Sequence, residues 1–171
     1  MRGILTSIVL AAVLSGCVSY SASVPEGYNG PLANVVDSVK VHSEAEADFF
    51  YLSAVDDRTI KNSRLETLSV NYGRGFNMTP VVLDHDIPAR ECRVTIVGRS
   101  EFAAPILAFM NTVYEVKGEI PFQPDSDRVY VVKGELGEDY SAVWIEDQQS
   151  GEIVGEKIEI HGSAALGFFQ K

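Results

Sequence analysis

Residues 112–122 alternate in side-chain character: Thr112, Tyr114, Val116, Ile120 and Phe122 are interleaved with Val113, Glu115, Lys117 and Glu119. A period of two puts one set on a single face of an extended strand, and that face has to be buried. A lone strand or hairpin cannot bury it, so the rest of the chain must supply further strands. Candidates follow at 35–41, 47–55, 76–83, 91–97, 128–136, 141–147 and 152–160, separated by turn residues. The segment 47–55 is apolar on both faces, which predicts a central strand covered twice. Asp56-Asp57 predicts a tight turn into a short return at 58–60, because Asp tolerates the backbone angles such turns need. Trp144 is expected as a core anchor, and the apolar tail at 164–169 has to pack or form a contact surface.

Three segments read differently. In 62–70, Ser63 and Glu66 make a capping-box pair and Leu65 and Leu68 have helical spacing, so a short helix is expected there, with strand as the alternative. Residues 84–88 are expected as a loop because Pro88 cannot sit in a sheet interior. Residues 103–110 fit a short helix or an irregular edge. The pattern predicts an all-β fold, an Ig-like or transthyretin-like β-sandwich of about seven to nine short antiparallel strands. A small closed β-barrel is the alternative. At 46% hydrophobic and 22% charged, the 171-residue chain has globular composition and room for one domain of ordinary size.

The first residues have a different logic. Arg2 precedes an uncharged apolar run at 4–14. That run is too short to span a bilayer, which takes about 20 residues, and has the length of a signal-peptide core. Leu14-Ser15-Gly16-Cys17 follows and resembles the bacterial lipobox. The resemblance implies cleavage between Gly16 and Cys17, a diacylglyceryl thioether on Cys17 and an acylated new N-terminus. One acyl chain holds a membrane marginally, whereas two or more anchor firmly. Val18 after the cysteine implies sorting to the outer membrane. The expected organisation is a signal peptide at 1–16, a lipidated Cys17 with a flexible Ser-, Gly- and Pro-containing tether at 17–34, and one domain at 35–171.

A further likeness lies in the domain. Val55-Asp56-Asp57, Ile87-Pro88-Ala89, Val129-Tyr130-Val131 and Trp144-Ile145-Glu146-Asp147 resemble small envelope lipoproteins with PEGA-like or transthyretin-like sandwiches. Asp57 and Ala89 occupy slots where that pattern carries glycine. This resemblance implies a fold and no activity.

With Cys17 acylated, Cys92 has no partner in its own chain, and its place on an apolar strand face reads as a small buried hydrophobe. The net charge of −10 argues against nucleic acid as a partner and against adhesion to anionic lipid by charge alone. No cofactor motif is present, and His42, His85 and His161 lack metal-ligand spacing. Asp84-His85-Asp86 is the one triplet able to gather ligands, provided it lies in a loop, since a strand would turn His85 away from the two aspartates. Tyr72-Gly73-Arg74-Gly75-Phe76 reads as a tight connection, and Glu44, Glu46 and Asp48 as a solvated acidic edge. The expected function is a non-catalytic scaffold or protein-interaction module of the cell envelope. A lipid- or saccharide-binding carrier comes second and an unrecognised hydrolase third.

Overall fold

The computed structural model describes residues 20–171. The expected signal peptide, the expected lipobox with Gly16 and Cys17, and Val18 lie outside the described residues. The strands are β1 (Leu32–Val36), β2 (Ser38–Ser43), β3 (Glu46–Val55), β4 (Arg58–Thr59), β5 (Asp84–Pro88), β6 (Cys92–Phe102), β7 (Glu115–Phe122), β8 (Val129–Glu135), β9 (Tyr140–Asp147) and β10 (Ile153–His161). Two helices interrupt them, α1 (Ser63–Val70) and α2 (Pro105–Met110). One sheet runs β10-β9-β8-β1-β5 and the other β2-β3-β6-β7, with β4 paired to β3. Neighbours are antiparallel except β1 and β8, which run parallel. Two sheets face each other across a core, so the all-β sandwich expectation holds and the barrel alternative does not.

The core between the sheets contains Val35, Phe50, Leu52, Ile87, Val94, Ile96, Val116, Ile120, Phe122, Val132, Val143 and Ile145. Alternation puts them there. In β7, Val116, Ile120 and Phe122 are buried while Lys117, Glu119 and Pro121 are exposed. The alternation does not extend upstream as expected, because Val113 is buried and Thr112 exposed. Residues 113–115 instead pair with the tail, where Glu115 N donates to Ala164 O and Leu166 N to Val113 O. Trp144 is not a core anchor either. Val143 and Ile145 point inward, so Trp144 must point outward, where Lys157 Nζ lies 4.6 Å from its ring centre. Cys92 is buried with Sγ 3.4 Å from Phe122 O, and burial pushes its thiol up to about 11.

β3 is covered on both faces, as its composition predicts. Phe50 and Leu52 enter the main core, while Ala47, Phe49 and Tyr51 join Val97 and Met78 in a second cluster on the outer face. The β3–β4 turn is a two-residue hairpin, with Val55 opposite Arg58 and positive φ at Asp56 (46°) and Asp57 (61°). These are the angles of a type I′ turn, here taken by Asp57 in place of glycine.

The expected strand at 35–41 is two strands broken at Asp37, where the chain leaves one sheet for the other. The expected loop at 84–88 is the edge strand β5, and Pro88 is tolerated because it ends that strand at the sheet margin. The expected strand at 76–83 is unpaired with any strand, for a reason given below. Of the expected tether, the described part is held against the domain. Ser21 N donates to Thr59 O at 2.8 Å, Arg58 donates to the carbonyls of Ala22 and Ser23, and Ser23 Oγ donates to Asp86 O.

Phe50 also fixes how closely the sheets approach. Its ring lies over Gly98 of β6 and Gly134 of β8, and a methyl group on Gly134 would collide with that ring and with the Ala142 carbonyl. Gly134→Val is expected to destabilise the fold by about 1–3 kcal/mol, the usual cost of overpacking. Urea unfolding followed by near-UV circular dichroism checks this, with the midpoint falling.

Candidate functional site

The site is built outward from α1. Asn62 caps this helix, its Oδ1 accepting from Leu65 N at 3.1 Å. Ser63, expected as the cap, is the first helical residue. Its amide donates to a distant carboxylate, Asp37 Oδ2, at 2.8 Å, a favourable place for negative charge at a helix N-terminus. The buried stripe of α1 is polar: Ser63 and Thr67 are fully buried and Asn71, just past the end, nearly so.

That stripe explains why residues 79–83 form no strand. Thr79 N donates to Asn71 Oδ1 (2.9 Å) and Asn71 Nδ2 donates back to Thr79 O (2.8 Å). Val81 N donates to Thr67 Oγ1 (2.8 Å) and Leu83 N to Ser63 Oγ (2.7 Å). Residues 63, 67 and 71 rise about 6 Å per step along a helix, and residues 79, 81 and 83 rise about 6.6 Å per step in extended chain. The two repeats match, so helix side chains replace the neighbouring strand. The amide that Pro80 lacks is not called upon.

With residues 79–83 fastened to α1 as a strap, residues 72–78 loop outward, and Gly73 (φ 81°) and Gly75 (φ 73°) supply left-handed backbone. Met78 N returns to Glu44 O. Across from this loop, β6 ends at Phe102 and the chain turns into α2, which starts on Pro105 and fully buries none of its side chains. Between α1, the loop and α2 lies a groove of about 530 Å³. Leu68, Tyr72, Met78, Phe102 and Phe109 give it apolar walls, with Arg64 and Glu101 among its lining. The apolar surface continues beyond it. Phe109 packs on Phe168 with ring centres 5.2 Å apart, and Phe168 on Phe169. Tyr72 is 92% exposed, Met110 76% and Phe169 96%. Phe109, Phe168 and Phe169 thus form an aromatic cluster at the groove's edge, the kind of surface that marks interaction sites.

The polar wall is a closed ion network. Glu101 receives Arg64 and Arg99 Nε (2.9 Å), and Arg99 Nη1 reaches Glu115 Oε2 at 2.6 Å. Burial works against the Arg99 charge, but the Glu115 and Glu101 carboxylates outweigh it and hold the guanidinium above its ordinary range. Burial also pushes the nearby Tyr51 phenol up to about 12. Neither Arg99 nor Tyr51 is poised to exchange protons near neutral pH.

Asp84 and Asp86 are exposed, and both accept from Asn34 Nδ2, at 3.1 and 3.2 Å. His85 lies on the opposite face, buried, with Nε2 3.3 Å from Asp37 Oδ2. β5 therefore separates the triplet as a strand must. Among the described residues no three His, Cys, Asp or Glu side chains are grouped to hold a metal ion. Asp48 is not a solvated guard but buried, accepting from Ser100 Oγ at 2.8 Å and lying 2.7 Å from His42 Nε2. A nucleophilic serine needs its proton taken by the histidine; here Ser100 gives its hydrogen bond to the carboxylate instead. Sequence reasoning offered the Phe168-Phe169 tail as a contact surface, but it read residues 72–76 as a tight connection and missed Met78, Phe102 and Phe109. For Phe109 the signal is the apolar run at 103–110, which has no alternating partner face in the sequence; Met78 and Phe102 carry none.

Thr67→Val keeps the volume of the side chain and leaves Val81 N without an acceptor. It is expected to cost about 1–3 kcal/mol and to raise amide hydrogen exchange at residues 79–83, measured by mass spectrometry, ahead of exchange in β3. Compared with protein-family models, curated proteins and solved structures, the chain matches none of them.

Proposed function

We propose that the protein is a lipid-anchored envelope module whose work is to bind another protein through the groove and aromatic surface beside α2. The observation that carries this reading is the set of exposed aromatic side chains at the groove, Tyr72 and Phe109 in its lining with Phe168 and Phe169 packed beyond Phe109, in a chain that is otherwise strongly acidic. Exposed aromatics around a hollow are the usual anchors of interfaces. The lipobox reading supplies the location: acyl chains on Cys17, with Val18 directing the chain to the outer membrane.

Catalysis is not part of the proposal. Asp84, His85 and Asp86 diverge, and the His42–Asp48–Ser100 group has its serine and histidine on one carboxylate. A carrier role is the second reading, favoured by one observation: the groove's volume and apolar walls fall in the range of small-molecule sites, about 300–1,000 Å³.

A photoreactive phenylalanine analogue at position 168, or at 72, tests the choice in intact cells. One dominant adduct with an envelope protein is expected, and Phe109→Asp is expected to remove it. Absence of adducts from both positions, together with an apolar small molecule that leaves the purified protein only in organic solvent, would transfer the site to the carrier reading.

A further inference from the structure

We infer that the domain stands end-on and close to its membrane, with the β3–β4 hairpin end against the headgroups and the aromatic groove at the far end. The inference rests on the acylation of Cys17 proposed above, and adds to it what the fold does with the chain that follows.

A flexible tether would leave the domain free to tumble. The fold does not allow one beyond residue 20. Ser21 forms a bridge with Ile60, and its amide donates to Thr59 O. The Arg58 guanidinium clasps the Ala22 and Ser23 carbonyls at 3.1 and 3.0 Å, and Ser23 Oγ closes on Asp86 O at 2.6 Å. Val18, Ser19 and Tyr20 lie between Cys17 and Ser21, which makes four backbone steps. Fully extended, they reach about 14 Å at most. Anchored acyl chains therefore hold the Ser21 end of the sandwich within that distance of the headgroups.

The groove lies at the other end. β3 runs between the two. Ala54 pairs with Thr59 at the hairpin end, and Glu46 pairs with Phe102 at the groove end. Its ten residues span about 30 Å. Met78 and Ala103 are bonded to the β2–β3 turn at Glu44 and Ala45, which places the loop and α2 at that far end. The groove is presented to the aqueous side, which suits a protein partner and removes the protein's own bilayer as its occupant.

The test uses the full acylated chain in vesicles containing a nitroxide-headgroup lipid, with a fluorophore on Asp57→Cys or on Tyr72→Cys. Cys92 is buried and escapes labelling. Several-fold stronger quenching at position 57 than at 72 is expected, and a long Gly-Ser insertion after residue 19 is expected to abolish the difference. Equal quenching at both positions, or stronger quenching at 72, in protein whose mass shows acyl chains on Cys17 overturns this inference and leaves the lipoprotein reading standing. A mass without acyl chains on Cys17 overturns both.

Discussion

The carboxylate of Asp37 is the point on which the architecture turns. It sits between β1 and β2, the step at which the chain passes from one sheet to the other, and its side chain has no exposed surface. Burying a carboxylate is costly unless its oxygens are filled. They are filled by two amides, Leu52 N at 2.9 Å from the centre of β3 and Ser63 N at 2.8 Å from the start of α1, while His85 Nε2 lies 3.3 Å away on β5 without forming a hydrogen bond. Its own amide donates to Leu83 O at the end of the strap. One residue thus joins both sheets, the helix and the strap.

The groove inherits its shape from that junction. Asp37 sets where α1 begins, and the Ser63, Thr67 and Asn71 stripe then sets where the strap runs. The strap in turn returns Met78 to the outer face of β3 and forces residues 72–77 outward. α2 closes the other side with little burial of its own. The arrangement buries polar groups where they can be fully bonded and leaves aromatic groups in water, the reverse of what stability alone would select. A site for binding accounts for that inversion better than a requirement of folding does.

How much was legible from residue order depends on which interactions are local. Period two exposed β7, β8 and β9, and the double apolar faces of 47–55 marked β3 as central. Asp56-Asp57 read as a hairpin because its turn chemistry is contained in two residues. What failed was long-range. Asp37 looked like one polar residue inside a strand, and its partners are 15 and 26 residues away. Residues 76–83 had strand composition, yet their amides were taken by a helix whose polar stripe is visible in the sequence only once one asks what Ser63, Thr67 and Asn71 could bond. Trp144 was misplaced because size was weighed above the parity fixed by Val143 and Ile145. The groove was half visible: the tail and the Gly-rich loop were noted, but nothing in the order of residues brings 68, 102 and 109 together.

The most direct test of the Asp37 junction is urea unfolding of Asp37→Ala, with amide hydrogen exchange read in the same protein. The junction predicts a loss of about 2–6 kcal/mol, about 1–3 for each of the two buried amides left without an acceptor, with protection falling together at Leu52, Ser63 and Leu83. Asp37→Asn should not restore it, because an amide nitrogen would then face the Ser63 N–H. An unchanged midpoint, or a loss of protection confined to residues beside position 37 while α1 and the strap keep theirs, would contradict the account.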